Sequence, residues 1–112
     1  MPRKALGEFE QLILLAIVRL DEEAYGVSIM DEIEEHTGRD VSESATYPTL
    51  QRMERKGLVE SRLGEATPER GGRRKRYFAI SEEGLDKLRH SASALFGMWD
   101  GLDPTLPGQV RR

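Results

Sequence analysis

The sequence predicts a mostly α domain with one β-hairpin, in the order helix, helix, helix, hairpin, helix. Three observations carry this. Apolar residues recur at helical spacing through residues 6–37 and again from Leu85 to Trp99. Hydroxyl residues suited to capping helix starts stand at Ser42 or Ser44 and at Ser81. Between those caps, "LVESRLGEA" and "RKRYFAIS" read as two strands with mixed alternation, joined by the turn residues of "TPERGG".

Residues 6–20, "LGEFEQLILLAIVRL", are apolar on nearly every helical face: Leu6, Phe9, Ile13 and Ile17 on one side, Leu12, Leu15 and Val18 on another. A helix of this kind is buried on more than one side, here against its own core and a second subunit. The next segment, "AYGVSIMDEIEEHT", places Val27, Met30 and Ile33 at helical spacing with "DEIEE" on the wet side, and Gly38 stops it. The third helix starts close to Ser42–Ala45 and is short, because Pro48 fits only near a helix start. Thr46, Leu50 and Met53 face inward, and Gly57 ends it. In the last helix Glu82 and Glu83 suit the first turn. Its apolar positions Leu85, Leu88, Ala92, Leu95 and Trp99 step by three and four residues, a seam for another helix. From Asp100 onward there is no periodicity, and a loose tail is expected. This order is that of a winged helix-turn-helix plus one appended helix.

At 112 residues the chain is one domain with a modest core. It has no cysteine, which excludes disulfides and thiolate metal sites and fits a reducing compartment. The longest apolar run, Leu12 to Val18, is far below the roughly 20 residues of a membrane span. Glu8 and Glu10 abut that run and no small-x-small cleavage site follows, so a soluble cytoplasmic protein is expected.

The net charge of −3 hides a polarised chain. Residues 5–40 hold two basic and ten acidic side chains, a net of −8. Residues 41–80 hold nine basic and five acidic ones, a net of +4. One half is suited to face a polyanion while the other faces away.

The helix beginning at Ser42 has the features of one that enters a DNA major groove. Short side chains (Ser44, Ala45, Thr49) allow close approach, and the hydroxyls of Ser42, Ser44 and Tyr47 can bond phosphate oxygens. Gln51, Arg52 and Arg55 lie on or near the outward side, where Gln and Arg serve bases or phosphates. An ordinary capped surface helix with a solvated basic face is the competing reading. Four consecutive basic residues, Arg73 to Arg76, then follow Gly71-Gly72 and coat both sides of the projecting hairpin, as a phosphate-contacting wing requires. A charged edge strand guarded against aggregation has the same composition.

Taken in order, "AYGVSIMDEIEE", "VSESATYPTLQRMERKGLVESRL" and "GGRRKRYFAISEEGLDKL" resemble the PadR family of transcriptional regulators across roughly residues 6–90. The likeness lies in the Tyr-Pro-x-Leu helix, the Gly-Leu exit into the hairpin, the basic-then-aromatic second strand and the Ser-x-x-Gly entry to the last helix. The resemblance implies a dimeric winged-helix repressor that binds a pseudo-palindromic operator in double-stranded DNA. Its DNA contacts would be Ser42, Ser44, Ala45, Tyr47, Thr49, Gln51 and Arg52 on the third helix and Arg73, Arg74, Lys75 and Arg76 on the wing. Its dimer contacts would be Leu6, Phe9 and Leu12 of the first helix with Leu85, Leu88, Ala92, Leu95, Phe96 and Trp99 of the last. The corresponding division is a DNA-binding domain over residues 1–81, a dimerisation helix over 82–100 and a flexible tail over 101–112.

Departures from the family pattern are specific. Val27 follows Gly26 where relatives often carry an aromatic, and the acidic Glu43 stands where a small residue is common. The short C-terminal part resembles the compact branch with a single last helix. Some compact members hold flat aromatic ligands at the dimer interface, so Phe96 and Trp99 have two readings, an effector site and plain interface packing. No cofactor or metal site is expected: His36 and His90 are isolated, and no other His or Cys stands at ligand spacing. The acidic run lacks the base, nucleophile or pocket of an enzyme. A winged-helix protein-interaction module, docking an acidic partner through the basic wing, is the alternative from another class.

Overall fold

A computed structural model of the chain describes residues 5–65 and 74–102. The expected turn "TPERGG", Arg73 and the tail from Asp103 lie outside the described residues. Helix α1 spans Glu8–Leu20, α2 Gly26–Thr37, α3 Glu43–Arg55 and α4 Glu82–Trp99, with strands β1 Val59–Leu63 and β2 Arg76–Ile80 between α3 and α4. A 3₁₀ turn at Asp21–Glu23, not foreseen in the sequence, links α1 to α2.

Each helix starts where a side chain can satisfy an orphan backbone donor. Ser42 Oγ accepts from Ala45 N–H at 3.2 Å, and Ser81 Oγ accepts from Gly84 N–H at 3.0 Å. Glu10 reaches back to accept from Gly7 N–H at 3.1 Å. Gly38 ends α2 at φ +72°, the left-handed conformation that suits glycine. Helix α3 runs 13 residues and is therefore longer than expected. Pro48 lies in its second turn and cannot donate to the Ser44 carbonyl. On the same turns the hydroxyls of Thr46 and Thr49 donate to the carbonyls of Ser42 and Ala45, each at 2.8 Å, which satisfies both hydroxyls inside the fold.

The core lies where α1 crosses the other elements. Ile13, Leu14 and Ile17 of α1 are buried against Ile29 and Ile33 of α2, Leu50 and Met53 of α3, and Leu58, Val59 and Phe78 of the hairpin. Burying a side chain such as Leu50 contributes about 2 kcal/mol. The other side of α1 stays open, with Leu15 and Val18 exposed. Leu6 and Leu88, expected at a dimer interface, are instead buried in the subunit's own core. Leu6, just before α1, is 8% exposed and Leu88, on the half of α4 that packs inward, 6%, so neither offers a partner much surface.

The strands pair antiparallel in the register Val59↔Ile80 to Leu63↔Arg76, and Gly64 N–H extends the ladder to the Lys75 carbonyl at 2.7 Å. A short third edge joins them: Tyr25 bridges Tyr77, and Phe78 N–H donates to the Ala24 carbonyl at 2.8 Å. The hairpin is thus tied to the segment that opens α2.

Both ends of the hairpin meet at one joint. Gly57, at φ +78°, turns the chain out of α3. Its carbonyl accepts from Ser81 Oγ at 2.6 Å, and the Leu58 carbonyl accepts from Ser81 N–H at 3.0 Å. Gly84 packs so tightly on that Leu58 carbonyl that a Cβ would overlap its oxygen. Helix α4 then leaves the core. Leu85 and Ala92 are half-buried, whereas Leu95, Phe96, Met98 and Trp99 are exposed, Phe96 at 72% and Met98 at 79%. Among the described residues, no helix is long and apolar enough to cross a membrane.

Candidate nucleic-acid interface

Helical geometry divides α3 into an inner face and an outer ridge. Thr46, Thr49, Leu50 and Met53 are buried, and opposite them Ser44, Pro48, Gln51 and Arg55 form an exposed row along the helix. Tyr47 and Glu54 flank the row on one side, Ala45 and Arg52 on the other, all exposed. Thr49 is a correction to the expected contact set. It is only 4% exposed, its hydroxyl donates to Ala45 and accepts from Arg52 at 3.1 Å, and no face is left for DNA. Ser42 spends one lone pair on its own cap and lies 3.2 Å from Ser44 Oγ, yet both residues stay exposed.

Tyr47 leans toward α2. A Cβ built on Gly26 would lie 2.5 Å from Tyr47 Cε1 and 2.6 Å from Cζ, so residue 26 must lack a side chain for the ring to rest there. Between this ring, the start of α2 and the hairpin runs a groove of about 730 Å³, bounded by Tyr25, Tyr47, Gln51, Arg74 and Lys75 among others. One flank of α3, with Tyr47, Gln51 and Glu54, and the basic strand therefore border the same groove.

The wing's basic residues differ in how they are held. Arg74 is exposed. Lys75 is half-buried with its ammonium 4.2 Å from the Tyr25 ring centroid. Arg76 donates to Ser61 Oγ at 3.0 Å, and that hydroxyl donates to the Glu54 carboxylate at 2.6 Å. Arg76 is thereby tied toward α3 through Ser61, although it remains exposed.

The acidic part of the chain is organised separately. Arg19 donates to Glu32 at 2.9 Å and contacts His36 Nε2 at 3.0 Å, while His36 lies 3.1 Å from the same Glu32 oxygen. The Arg19 hydrogen bond holds the Glu32 carboxyl below its usual value against the opposing effect of burial, with the His36 and Arg19 charges adding to the lowering. Arg39 likewise ties the α2–α3 connection to Glu8 at the start of α1 and lowers that carboxyl, first by hydrogen bonding and then by charge. Among the described residues, Glu32, Glu35 and His36 bring possible ligand atoms within 4.8 Å of one another. The Arg19 guanidinium already occupies the Glu32 oxygen that a metal ion would need.

The family model for the transcriptional regulator PadR-like family matches residues 14–90. The chain belongs to that family. It is a DNA-binding transcriptional regulator with a winged-helix fold. Solved PadR-like structures agree: a PadR family transcription regulator from Clostridium difficile R20291 is 26% identical with a TM-score of 0.70, covering 82% of this chain and 91% of that one. A PadR-like transcriptional regulator from Bacillus cereus is 27% identical with a TM-score of 0.61, covering 83% and 92%. One from Eggerthella lenta is 27% identical with a TM-score of 0.66, covering 84% and 81%. Among curated proteins no significant match is found.

In this PadR-like regulator Tyr47, Gln51, Arg74, Lys75 and Arg76 of the expected contact set border this groove, whereas Ser42, Ser44, Ala45 and Arg52 are exposed at or along α3 and do not line it. Arg73 lies outside the described residues. Pro48 and Arg55, two residues of the exposed row on α3, and Tyr25, which borders the groove, stand outside the expected contact set. Pro48 was read only as a helix-start marker, Arg55 only as an outward residue, and Tyr25 not as a site residue at all. The four-residue spacing from Ser44 to Pro48 and the seven-residue spacing from Pro48 to Arg55 were legible and could have found the first two. Tyr25 reaches the wing through tertiary contacts, the bridge to Tyr77 and the Lys75 ammonium over its ring, which leave no local signal.

Proposed function

We propose that this PadR-like regulator is a homodimeric, sequence-specific repressor whose subunits each lay α3 in a major groove and the wing on the flanking phosphates. The observation that carries the reading is the shared groove: Tyr47, Gln51 and Glu54 along one flank of α3 and the basic strand border one space of about 730 Å³. On this reading Ser44, Tyr47, Gln51 and Arg52 present polar groups to the duplex from α3, with Ser42 and Ala45 at the helix start, and Arg73, Arg74, Lys75 and Arg76 supply the wing's charge.

Dimerisation is supported by apolar surface at the far end of α4. Leu95, Phe96, Met98 and Trp99 are exposed there, and Leu15 and Val18 are exposed on α1, a concentration of large apolar side chains that favours contact with a second copy. Phe9, Leu12, Leu85 and Ala92 are half-buried and would complete such an interface from the same two helices. Two-fold symmetry in the protein would match a pseudo-palindromic operator. A flat aromatic effector, if one acts, would lie between Phe96 and Trp99 and their counterparts in the second subunit.

The test is a titration against labelled DNA from immediately upstream of the protein's own gene, at two salt concentrations, with random-sequence competitor. Salt-sensitive binding that survives the competitor is the expected result. Equal competition by random DNA from that fragment and from sites selected out of random sequence would refute sequence-specific recognition.

A further inference from the structure

We propose that Tyr25 is a positioning residue for DNA binding: its ring holds the Lys75 ammonium beside the groove between wing and α3, ready for the phosphate backbone. The inference rests on the reading that the wing meets DNA, and it assigns a role to a residue outside the basic set.

A lysine on a hairpin has a long flexible stem, and ordering that stem costs entropy each time it engages a phosphate. Lys75 is ordered in advance. Its ammonium lies 4.2 Å from the centroid of the Tyr25 ring, within the range of a cation–π contact. Tyr25 is itself fixed. Its N–H donates to Ser28 Oγ at 2.9 Å, and its carbonyl accepts from Ile29 N–H at 2.8 Å in the first turn of α2. Its ring meets Tyr77 edge-on, 5.7 Å between centroids at 73°. Tyr77 in turn carries the Arg62 guanidinium 4.8 Å from its own centroid. The four side chains run cation, ring, ring, cation across the hairpin, from Lys75 to Arg62.

The nature of the partner decides what Lys75 can do. A carboxylate partner would orient the ammonium and cancel its charge. An aromatic face orients it and leaves the charge and its donors available to a second group. Arg76 shows the contrasting arrangement, tied through Ser61 to the Glu54 carboxylate. Lys75 and Tyr25 both border the groove that Tyr47 and Gln51 line from α3. A phosphate seated there meets a cation already placed, and the wing's approach is referred to the same turn of α2 against which Tyr47 packs.

The experiment is a double-variant cycle on a duplex that the wild-type protein enriches from random sequences, reading Kd and its salt dependence for Tyr25→Leu, Tyr25→Phe, Lys75→Met and the Tyr25→Leu/Lys75→Met pair. Lys75→Met should flatten the log-log salt slope by about one. Tyr25→Leu should weaken binding about threefold alone and leave the Lys75→Met protein unchanged. Tyr25→Phe, which keeps the ring, should bind as the wild type does. An equal loss on Tyr25→Leu in both backgrounds would mean that Tyr25 acts through the fold alone and would overturn the proposal. So would a Tyr25→Phe protein as weak as Tyr25→Leu, which would assign the effect to the hydroxyl. If Lys75→Met changes nothing while Arg74→Ala flattens the slope, the wing reading stands and this inference falls. If neither changes it, the wing reading fails as well. Should Tyr25→Leu not fold, proton NMR of the free protein decides. The Lys75 methylenes next to the ammonium should resonate upfield under the Tyr25 ring in the wild type and in Tyr25→Phe, and unshifted resonances would overturn the proposal.

Discussion

The phenol ring of Tyr47, on α3, occupies the space that a side chain at residue 26, the first residue of α2, would need. The two helices of the helix-turn-helix are fitted together at this point. Because the colliding atoms are the far end of a partly exposed ring, Gly26→Ala should push Tyr47 outward and leave the protein folded, at a cost of about 1 kcal/mol. Operator binding should fall at the same time, since the displaced ring enters the groove. Thermal denaturation and a binding titration of Gly26→Ala, Tyr47→Ala and the double variant would check this. The stability costs should be less than additive, because removing the ring removes the collision.

Arg74 and Arg76 are neighbours in the basic run but should behave differently. Arg74→Ala should weaken binding to every DNA sequence and lower the salt slope by about 0.9, the value for one phosphate. Arg76→Ala should lower it less and cost stability as well, because it removes the donor to Ser61 that links the wing to Glu54. Salt titrations on operator and random duplexes, beside denaturation curves, separate the two effects. Equal slope changes with unchanged stability would place Arg76 on a phosphate like its neighbour.

The acid limb of stability should report the Arg19–Glu32 pair. The Glu32 carboxyl is held below its ordinary value of 4.5, so its contribution is fully present above that value and disappears as pH falls through the lowered folded-state value. Glu32→Gln should therefore be less stable than the wild type at about pH 7, with the gap closing progressively as pH falls below the ordinary value of 4.5. Urea midpoints across that range would show it. A constant gap at every pH would mean that the carboxylate's charge is not what stabilises the contact.

The exposed end of α4 should control assembly. Trp99→Glu places a charge in the proposed apolar contact and should shift sedimentation toward monomer without changing the far-ultraviolet circular dichroism. Half-site affinity per subunit should persist while affinity for a two-fold site drops. A Trp99→Glu protein that sediments as the wild type does would remove this end of α4 from the interface.

Much of the fold was legible because its signals are local. Of the two candidate caps for the third helix, Ser42 and Ser44, Ser42 is the one that caps it; Ser81 caps the last helix as expected, and Gly57 turns the chain out of α3. The hairpin strands lie within the expected segments. What sequence reasoning lost depends on which neighbour a residue finds. Thr49 carries a hydroxyl suited to a phosphate, but the residue is buried and its oxygen bonds within the helix. Leu88 belongs to an apolar seam that runs along α4, and only the packing of that helix shows that the seam changes partners midway, inward at Leu88 and outward by Leu95. Tyr25 and Tyr47 read as solitary aromatics until the fold brings one to Tyr77 and the other to Gly26.

The joint at Gly57 and Leu58 has a consequence for how such a chain can diversify. The hairpin leaves and re-enters the body at one spot, fastened by Ser81 and covered by Gly84. Its two ends keep the same separation whatever lies beyond them. Loop-closure entropy rises only slowly with length, by about 0.6 kcal/mol per doubling. Residues gained or lost beyond the Leu63–Arg76 pair would thus leave this joint, and the helices it fastens, undisturbed among descendants.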